Sequence, residues 1–363
     1  MTRYLLAGGG TAGHVNPLLA VADRIMDREP DAKIFVLGTS EGLESRLVPA
    51  RGYELLAVAR LPFPRRPNAA ALKFPLRFGA LVTTIQALIR EHQVDIVVGF
   101  GGYVSAPAYL AARREKVPIA VHEANAKPGI ANRLGARVTK HVGVAFRATR
   151  LAHARFVGMP LRREIESLDR ATERRAAIEF FGLDPRKLTL LVTGGSLGAK
   201  RINETIYAAA ASILGAGWQI LHVTGERSEL SSTELAGYRL MAYCDRMDLA
   251  IAAADLAVAR AGSATVSEFT ALGVPAVYVP LPIGNGEQKL NAREVVEAGG
   301  AVTVDNAAFT PEWVGNTLVP LLQNRALIAE MAARARAIGV LDGADRMADL
   351  VGDALRGTVN SSQ

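Results

Sequence analysis

The residues best equipped for chemistry sit in and just after glycine-rich turns. Gly8-Gly9-Gly10-Thr11-Ala12-Gly13-His14 follows the apolar run Tyr4-Leu5-Leu6-Ala7, and Gly194-Gly195-Ser196-Leu197-Gly198 follows a second run at 188–193. Glycine lets the backbone approach a ligand closely, and a following helix turns its unbonded N–H groups and positive dipole end toward anions. His14 closes the first turn. An imidazole there, its pKa depressed by the positive helix end, is neutral and able to take a proton. A third cluster, Arg260-Ala261-Gly262-Ser263-Ala264-Thr265-Val266-Ser267-Glu268, offers small hydroxyl residues and backbone N–H groups for a phosphate, with Glu268 one turn further in, able to accept both hydroxyls of a ribose. A fourth, Asn285-Gly286-Glu287-Gln288-Lys289-Leu290-Asn291-Ala292, pairs neutral amides with a carboxylate, the groups a sugar's hydroxyls ask for. Each cluster alone also reads as a tight connection or a capped helix start. Two glycine turns with these companions point to phosphate and sugar binding.

The elements that must position these groups are legible from periodicity. In the first half, apolar runs at 4–7, 33–37, 53–58, 94–98, 118–121 and 140–144 alternate with helical patterns at 17–28, 41–50, 75–90, 104–115 and 129–136. The second half repeats the rhythm, with strands near 188–193, 218–224, 238–242, 255–259, 275–279 and 301–304 and helices at 200–214, 263–272 and 287–298. Such alternation predicts βαβ units and parallel sheets. The fold class is therefore α/β, with two Rossmann-like doubly wound domains facing across a cleft. We place the domains at 1–160 and 161–340, the boundary falling in Val157-Gly158-Met159-Pro160-Leu161-Arg162, with a last segment, 341–363, whose helix returns to the first domain.

A chain of 363 residues, half of them hydrophobic, suits two packed domains. No apolar run approaches the roughly 18–20 residues of a membrane span, and no signal segment precedes the first strand. With Cys244 the single cysteine, no intrachain disulfide and no cysteine-rich metal site can form. The chain reads as cytosolic. Its net charge of +7 suits anionic partners. No acidic residue lies between Glu54 and Glu91, where Arg60, Arg65, Arg66, Lys73, Arg77 and Arg90 accumulate beside Phe63, Leu72, Phe74 and Leu76. Phe78, Leu81, Val82, Ile85, Leu88 and Ile89 recur at helical spacing and should pack inward. That leaves Leu72, Phe74 and Leu76, ringed by cations, to meet an anionic membrane surface. A solvated basic loop over a satellite core is the plain alternative.

Two enzyme classes are disfavoured. Gly8-x-Gly10-x-x-Gly13 matches the dinucleotide fingerprint, but the strand 33–37 runs into Gly38-Thr39-Ser40 without the carboxylate that would hold the ribose hydroxyls. Neither turn ends in the Gly-Lys-[Ser/Thr] of a P-loop, which argues against ATP hydrolysis.

Taken in order, Gly9 to His14, Gly99-Phe100-Gly101-Gly102-Tyr103-Val104-Ser105, His122-Glu123-Ala124-Asn125, Gly158 to Arg162, Gly194 to Ala199, Arg260 to Glu268 and Gln288 to Ala292 closely resemble the undecaprenyldiphospho-muramoylpentapeptide β-N-acetylglucosaminyltransferases of bacterial cell-wall synthesis, in glycosyltransferase family 28. The resemblance spans nearly the whole chain. It implies a GT-B architecture with no tightly bound cofactor, no metal held by a DxD motif, and at most stimulation by a divalent cation. The implied donor is UDP-N-acetylglucosamine, held mainly by the C-terminal domain. The implied acceptor is lipid I, undecaprenyl-diphospho-N-acetylmuramoyl pentapeptide, whose 4-hydroxyl is glycosylated with inversion to give lipid II.

By motif match, Arg162 and the backbone around Cys244 would face the uracil and Glu268 the ribose. Ser196, Ala264 and Thr265 would contact the donor diphosphate, and Gln288, Asn125 and Asn291 would contact or position the sugar, with Ser263, Val266, Ser267, Thr11, Ala12 and Gly13 also on the donor side. The acceptor diphosphate would meet Gly9, Gly10, Thr11, Gly101, Gly102 and Tyr103. His14 is the expected base, with Glu123 as second candidate or as its orienter. The membrane patch would be Phe63, Arg65, Arg66, Leu72, Lys73, Phe74, Leu76 and Arg77. The resemblance also implies a peripheral place on the cytoplasmic face of the bacterial membrane, cell-wall and division proteins as partners, and no nucleic acid. Ala12, Ala124, Met159, Leu197 and Glu287 depart from the commonest family pattern, and Glu287 changes the charge beside the sugar. The rival readings are another GT-B enzyme using a UDP-sugar, such as a UDP-N-acetylglucosamine 2-epimerase or a glycolipid synthase, and a non-catalytic UDP-sugar-binding scaffold.

Overall fold

The computed structural model describes the chain except residues 65–68, 196–197, 231–233, 283–285 and 360–363. It divides into two compact units, Met1–Arg162 with Leu341–Gln363, and Arg163–Val340. Arg162 thus falls in the first unit. Each unit carries one all-parallel sheet.

In the first unit the strands are β1 (Arg3–Ala7), β2 (Lys33–Gly38), β3 (Glu54–Ala57), β4 (Ile96–Gly99), β5 (Ile119–Glu123), β6 (His141–Val144) and β7 (Ala154–Phe156), in the order β3-β2-β1-β4-β5-β6-β7. Alternate side chains enter two separate cores. Leu5, Phe35, Leu37, Val97 and Val121 pack on one face, while Tyr4, Leu6, Ile34, Val36, Ile96 and Val98 pack on the other. Burial on both faces is what a parallel sheet wrapped by helices requires. Strand order reverses between β1 and β4, and such a switch point opens a crevice at the carboxyl ends of the strands, where ligands bind. The first glycine turn and Phe100–Tyr103 both leave the sheet there.

The second unit contains β8 (Leu188–Thr193), β9 (Trp218–Val223), β10 (Tyr238–Met241), β11 (Leu256–Ala259), β12 (Ala276–Tyr278) and β13 (Ala301–Thr303), ordered β10-β9-β8-β11-β12-β13. Counted from each unit's first strand, its six strands repeat the order of the first six in the other sheet. Its switch point lies between β8 and β11, whose ends carry Gly194–Gly198 and Arg260–Ser263. The four clusters read from sequence therefore leave their sheets at carboxyl ends, three of them at switch points.

The helix Gly343–Val359 belongs to the first unit. Met347, Leu350, Val351 and Ala354 enter the core under β1 and β4, and Arg28 pairs with Asp345 and Asp349 at 2.6 and 2.7 Å. Gly143 on β6 makes the close approach possible, since a Cβ there would stand 2.9 Å from Met347 Sδ.

Three sequence expectations need correction. The helix expected from residue 17 starts at Ala12 and carries Pro17 inside it; Thr11, extended at φ −137° and ψ 154°, is its N-cap. His14 consequently lies in the first turn. The helix expected at 75–90 spans Ala69–Glu91, and its stretch Leu72–Glu91 is long and apolar enough, by length and composition, to cross a membrane. However, Leu81, Val82, Ile85 and Ile89 are buried in the first unit's core, with Phe78 and Leu88 packed against it. That inward face joins the helix to the core, while 22 % of the stretch is buried in all. Finally, helices at Pro311–Trp313 and Arg325–Ile338, capped by Thr310 and Asn324, were not read from the sequence.

Candidate active site

In the first unit, the β1 and β4 turns press directly on one another. Gly101 and Gly102 have φ of +96° and +81°, and a Cβ on Gly102 would stand 2.7 Å from the Gly9 carbonyl oxygen. Gly10, at φ +89°, faces the Tyr103 ring. Only glycines permit this contact between two turns.

His14 Nδ1 lies 3.2 Å from the Gly9 carbonyl oxygen and 3.2 Å from Thr11 Oγ1. A carbonyl oxygen only accepts, so this contact assigns the proton of the neutral ring to Nδ1 and leaves the Nε2 lone pair available. The Nε2 edge lies against Gly101, 3.1 Å from where a Cβ would be. Loss of water around the ring lowers the His14 pKa below the ordinary imidazole value, although Glu123, the Gly9 carbonyl and Glu44 pull the other way. This is a neutral imidazole with a fixed tautomer and a free basic nitrogen.

Glu123, at the end of β5, is 2 % exposed. One of its oxygens accepts from the Asn125 N–H at 2.9 Å, and the other from the Gly129 N–H at 2.9 Å and Asn132 Nδ2 at 3.0 Å. Asn132 is itself held by the Tyr109 hydroxyl at 2.8 Å. A buried carboxylate engaged by fixed donors on both oxygens orients its neighbours; it does not present a lone pair to a substrate hydroxyl. Of the two candidate bases, the geometry favours His14.

Sequence reasoning missed Glu44. Its side chain is wholly buried beneath the first glycine turn, where it accepts from the Gly10 N–H at 3.0 Å, the Thr39 N–H at 3.0 Å and Thr39 Oγ1 at 2.9 Å. Burial alone would raise its pKa; the N–H groups of Gly10, Thr39 and Glu44 itself, with the Thr39 hydroxyl, outweigh this and hold it below the usual carboxylate range. Its signal was faint: Gly9 of the first glycine turn, Gly38 at the end of β2 and Gly42 just before its own helix all pack against its side chain. The expectation that Gly10 offers its N–H to a diphosphate is thereby corrected, because that donor is already used by Glu44. The N–H groups of Thr11, Ala12 and Gly13 have no acceptor among the described residues, and the helix they open has no side-chain cap. A cavity of about 330 Å³ that reaches Gly10 is lined by Glu41, Arg46, Arg60 and Tyr103, with Glu41 3.9 Å from Arg60, and the Tyr103 hydroxyl lies 3.2 Å from Thr39 Oγ1.

In the second unit, the helix Ser263–Ala271 also begins without a side-chain cap, and the N–H groups of Ser263, Ala264 and Thr265 have no acceptor among the described residues. Helix Arg170–Phe181, remote from any switch point, is capped by Asp169. Several other helices also start without a side-chain cap; what matters for the Ser263 helix is that its open donors sit at the switch point, where an anion would use them. Glu268 and Ser267 are half-buried one turn on, while Val266 packs inward. Arg260 bonds the Val279 carbonyl and Asn306 Oδ1, both at 2.8 Å, tying the β11 and β12 turns together. Gln288 Oε1 accepts from the Leu281 N–H at 2.9 Å. Asn291 is 1 % exposed and donates to the Ala261 carbonyl at 3.3 Å, so it shapes the turn from behind rather than facing a ligand. Gly198, at φ +80°, leaves room for the Thr224 carbonyl. Cys244 is buried, which pushes its thiol up to about 11 and rules out a thiolate nucleophile near neutral pH. Arg162 and Asn125 are half-buried in the first unit. Ser196, Leu197 and Asn285 lie outside the described residues.

Both units match models of one family. Residues 4–144 match the glycosyltransferase family 28 N-terminal domain, and residues 189–347 its C-terminal domain. The chain belongs to glycosyltransferase family 28. It is 64 % identical, over 97 % of its length and 98 % of the relative's, to the UDP-N-acetylglucosamine–N-acetylmuramyl-(pentapeptide) pyrophosphoryl-undecaprenol N-acetylglucosamine transferase of Leifsonia xyli subsp. xyli. The enzyme of the same name from Streptomyces coelicolor is 48 % identical over 97 % of the chain and 98 % of the relative. Among solved structures, MurG of Acinetobacter baumannii superposes with a TM-score of 0.79 at 30 % identity, covering 97 % of this chain and all of that one. The family's GT-B fold is the pair of parallel-sheet units described above, and the protein is a glycosyltransferase.

The membrane-patch residues divide. Leu72 and Leu76 are 83 % and 81 % exposed, with Lys73 and Arg77 exposed beside them. Phe74 does not join them: it is partly buried against the core and packs on Phe63 and Phe78, with ring centroids 5.1 and 5.5 Å away. Arg65 and Arg66 lie outside the described residues.

Proposed function

We propose that this family 28 enzyme transfers N-acetylglucosamine from UDP-N-acetylglucosamine to the 4-hydroxyl of the N-acetylmuramoyl pentapeptide of lipid I, with inversion, giving lipid II for peptidoglycan synthesis. The observation that carries the chemistry is His14, with its Nδ1 proton on the Gly9 carbonyl and its Nε2 lone pair free. Full-length likeness to relatives named for this reaction supports the substrates.

Transfer with inversion is an in-line displacement through an oxocarbenium-like state. It needs a base for the incoming hydroxyl, alignment, and stabilisation of the charge gathering on the leaving UDP. His14 Nε2 takes the proton of the 4-hydroxyl as that oxygen attacks the anomeric carbon. Its depressed pKa keeps it unprotonated at neutral pH. Glu123 faces the imidazolium that forms and stabilises it by charge. The open N–H groups of Ser263, Ala264 and Thr265 receive the leaving diphosphate as a preorganised anion site. Glu268 accepts from the ribose hydroxyls and Arg162 faces the uracil. Gln288 contacts the sugar through the amide NH₂ that its bond to Leu281 leaves over, while Asn125 and Asn291 position the surrounding turns. The acceptor diphosphate meets Thr11, Ala12 and Gly13 together with Gly101, Gly102 and Tyr103.

A polyprenyl acceptor requires docking on a bilayer. Leu72 and Leu76 beside Lys73 and Arg77 suit peripheral attachment to the anionic cytoplasmic face of the cell membrane.

Labelled UDP-N-acetylglucosamine supplied with and without lipid I tests the reading. Lipid-linked label that appears only with lipid I is expected. Epimerised nucleotide sugar, or bound but unreacted donor, would instead favour an epimerase or a binding scaffold.

A further inference from the structure

Glu44 is a fully buried carboxylate with no cation paired to it among the described residues. Removing a carboxylate from water is costly unless its oxygens are well satisfied. Three donors satisfy it here, and one of them is the Gly10 N–H. That N–H and the Gly9 carbonyl belong to the same peptide group. In a trans peptide the two point in opposite directions. Glu44 therefore grips one side of the plane while His14 Nδ1 binds the other. A flip of this peptide would break both bonds at once. Hydrogen bonds in series also polarise one another, so a charged acceptor on the N–H side strengthens the carbonyl that fixes the imidazole.

We propose that Glu44 is a positioning residue for glycosyl transfer, its carboxylate holding the Gly9–Gly10 peptide in the orientation that aims His14. The assignment rests on the reading of His14 as the base. Packing reinforces it: a Cβ on Gly9 would stand 2.6 Å from Glu44 Oε1, one on Gly38 would stand 2.5 Å from Glu44 Cγ, and Gly42 is equally tight against the carboxylate. The carboxylate also reaches the neighbouring turn, since Thr39 Oγ1 bonds both Glu44 and the Tyr103 hydroxyl. The groups facing His14 are thus Glu44 and Gly9 from below, Thr11 on its own turn, Gly101 from the β4 turn, and Glu123 from the end of β5.

The test titrates His14 by NMR in the full-length protein without substrate, in wild type and Glu44→Gln. Wild type should show the neutral ring protonated on Nδ1. Glu44→Gln keeps the size of the side chain, removes the charge that raises the His14 pKa, and sets an amide NH₂ against one of the donors. The His14 pKa should fall further, and the tautomers should mix. With lipid I, kcat should drop about 10-fold or more while the donor KM stays within about twofold, and the acid limb of the pH–rate profile should move to lower pH. A purely structural residue would lower the melting temperature without moving the pH limb or the tautomer. Folded Glu44→Gln whose His14 titrates and whose enzyme turns over as in wild type overturns the proposal. Should Glu44→Gln not fold, Thr39→Val keeps the carboxylate but removes one donor. Tautomer mixing and a kcat lowered about threefold or more support the proposal, and wild-type values for both overturn it. Because the NMR readout needs no substrate, a wild type that transfers no sugar would count against the transferase reading and leave the Glu44 result standing.

Discussion

Replacing Gly102 by alanine should separate the site's geometry from general stability. The new Cβ would stand 2.7 Å from the Gly9 carbonyl oxygen, whereas ordinary contacts begin at 3.4 Å, so one turn must yield by about 0.7 Å. The atom displaced is the one that fixes His14 Nδ1. A misplacement approaching 1 Å can cost about 100-fold in rate, which puts the loss of kcat at about 10- to 100-fold, or about 1.4–2.7 kcal/mol of transition-state stabilisation. A non-glycine residue at positive φ costs a further 1–2 kcal/mol or so of fold stability. Gly52→Ala is the control. Gly52 has φ +80° but nothing within 4 Å of a Cβ, in a turn remote from the switch point. Both variants should melt a few degrees below wild type, yet only Gly102→Ala should lose turnover in the lipid I assay. Equal kcat for the two folded variants would refute the claim that contact between the turns sets the base.

Other expectations follow from single contacts. His122 is wholly buried, its Nε2–H bonded to the Gly158 carbonyl at 3.1 Å, and burial lowers its pKa to about 4. Since the unfolded chain takes up this proton first, the stability it contributes is present above about pH 6.5 and is lost as pH falls through about 4, to a total of about 3 kcal/mol. Urea midpoints at pH 7 and 5 should fall farther for wild type than for His122→Gln, and parallel losses would contradict this. Glu268→Ala should weaken UDP binding about 10- to 100-fold by calorimetry, the usual size of a hydrogen bond to a charged group; unchanged affinity would remove Glu268 from the ribose. Lys73→Glu with Arg77→Glu should weaken binding to anionic vesicles at low salt at least about 10-fold, given about 1 kcal/mol per cation near the surface. Unchanged sedimentation with vesicles would exclude this patch.

The sheets were legible because short apolar runs alternate with helical patterns and glycine turns, and the repeated rhythm of the two halves reflects their common strand order. The clusters around His14, Arg260 and Gln288 were legible as well, since a turn at a strand's carboxyl end uses small residues for local steric reasons. The start of the first helix was not: Pro17 reads as a first-turn residue, whereas the extended Thr11 sets the start five residues earlier. Phe74 looked unpartnered because the helix was expected to begin at 75; starting at Ala69, it sets Phe74 one turn before Phe78, and Phe63 reaches both rings only after the chain folds back. Glu44 was hidden for a similar reason. In Glu41-Gly42-Leu43-Glu44-Ser45-Arg46 it resembles any solvated helix face, and its burial is created by Gly9 of the first glycine turn together with Gly38 and Gly42, which flank the β2 connection. Sequence left His14 and Glu123 open as rival bases. The hydrogen bonds that occupy both oxygens of Glu123 support His14, the base we propose.

The most direct test measures kcat of His14→Ala against wild type, with labelled UDP-N-acetylglucosamine and lipid I at saturation and UDP affinity recorded in parallel. A base at this position predicts a fall of about 100-fold or more with UDP binding intact. A folded His14→Ala enzyme that makes lipid-linked product at the wild-type rate would contradict it.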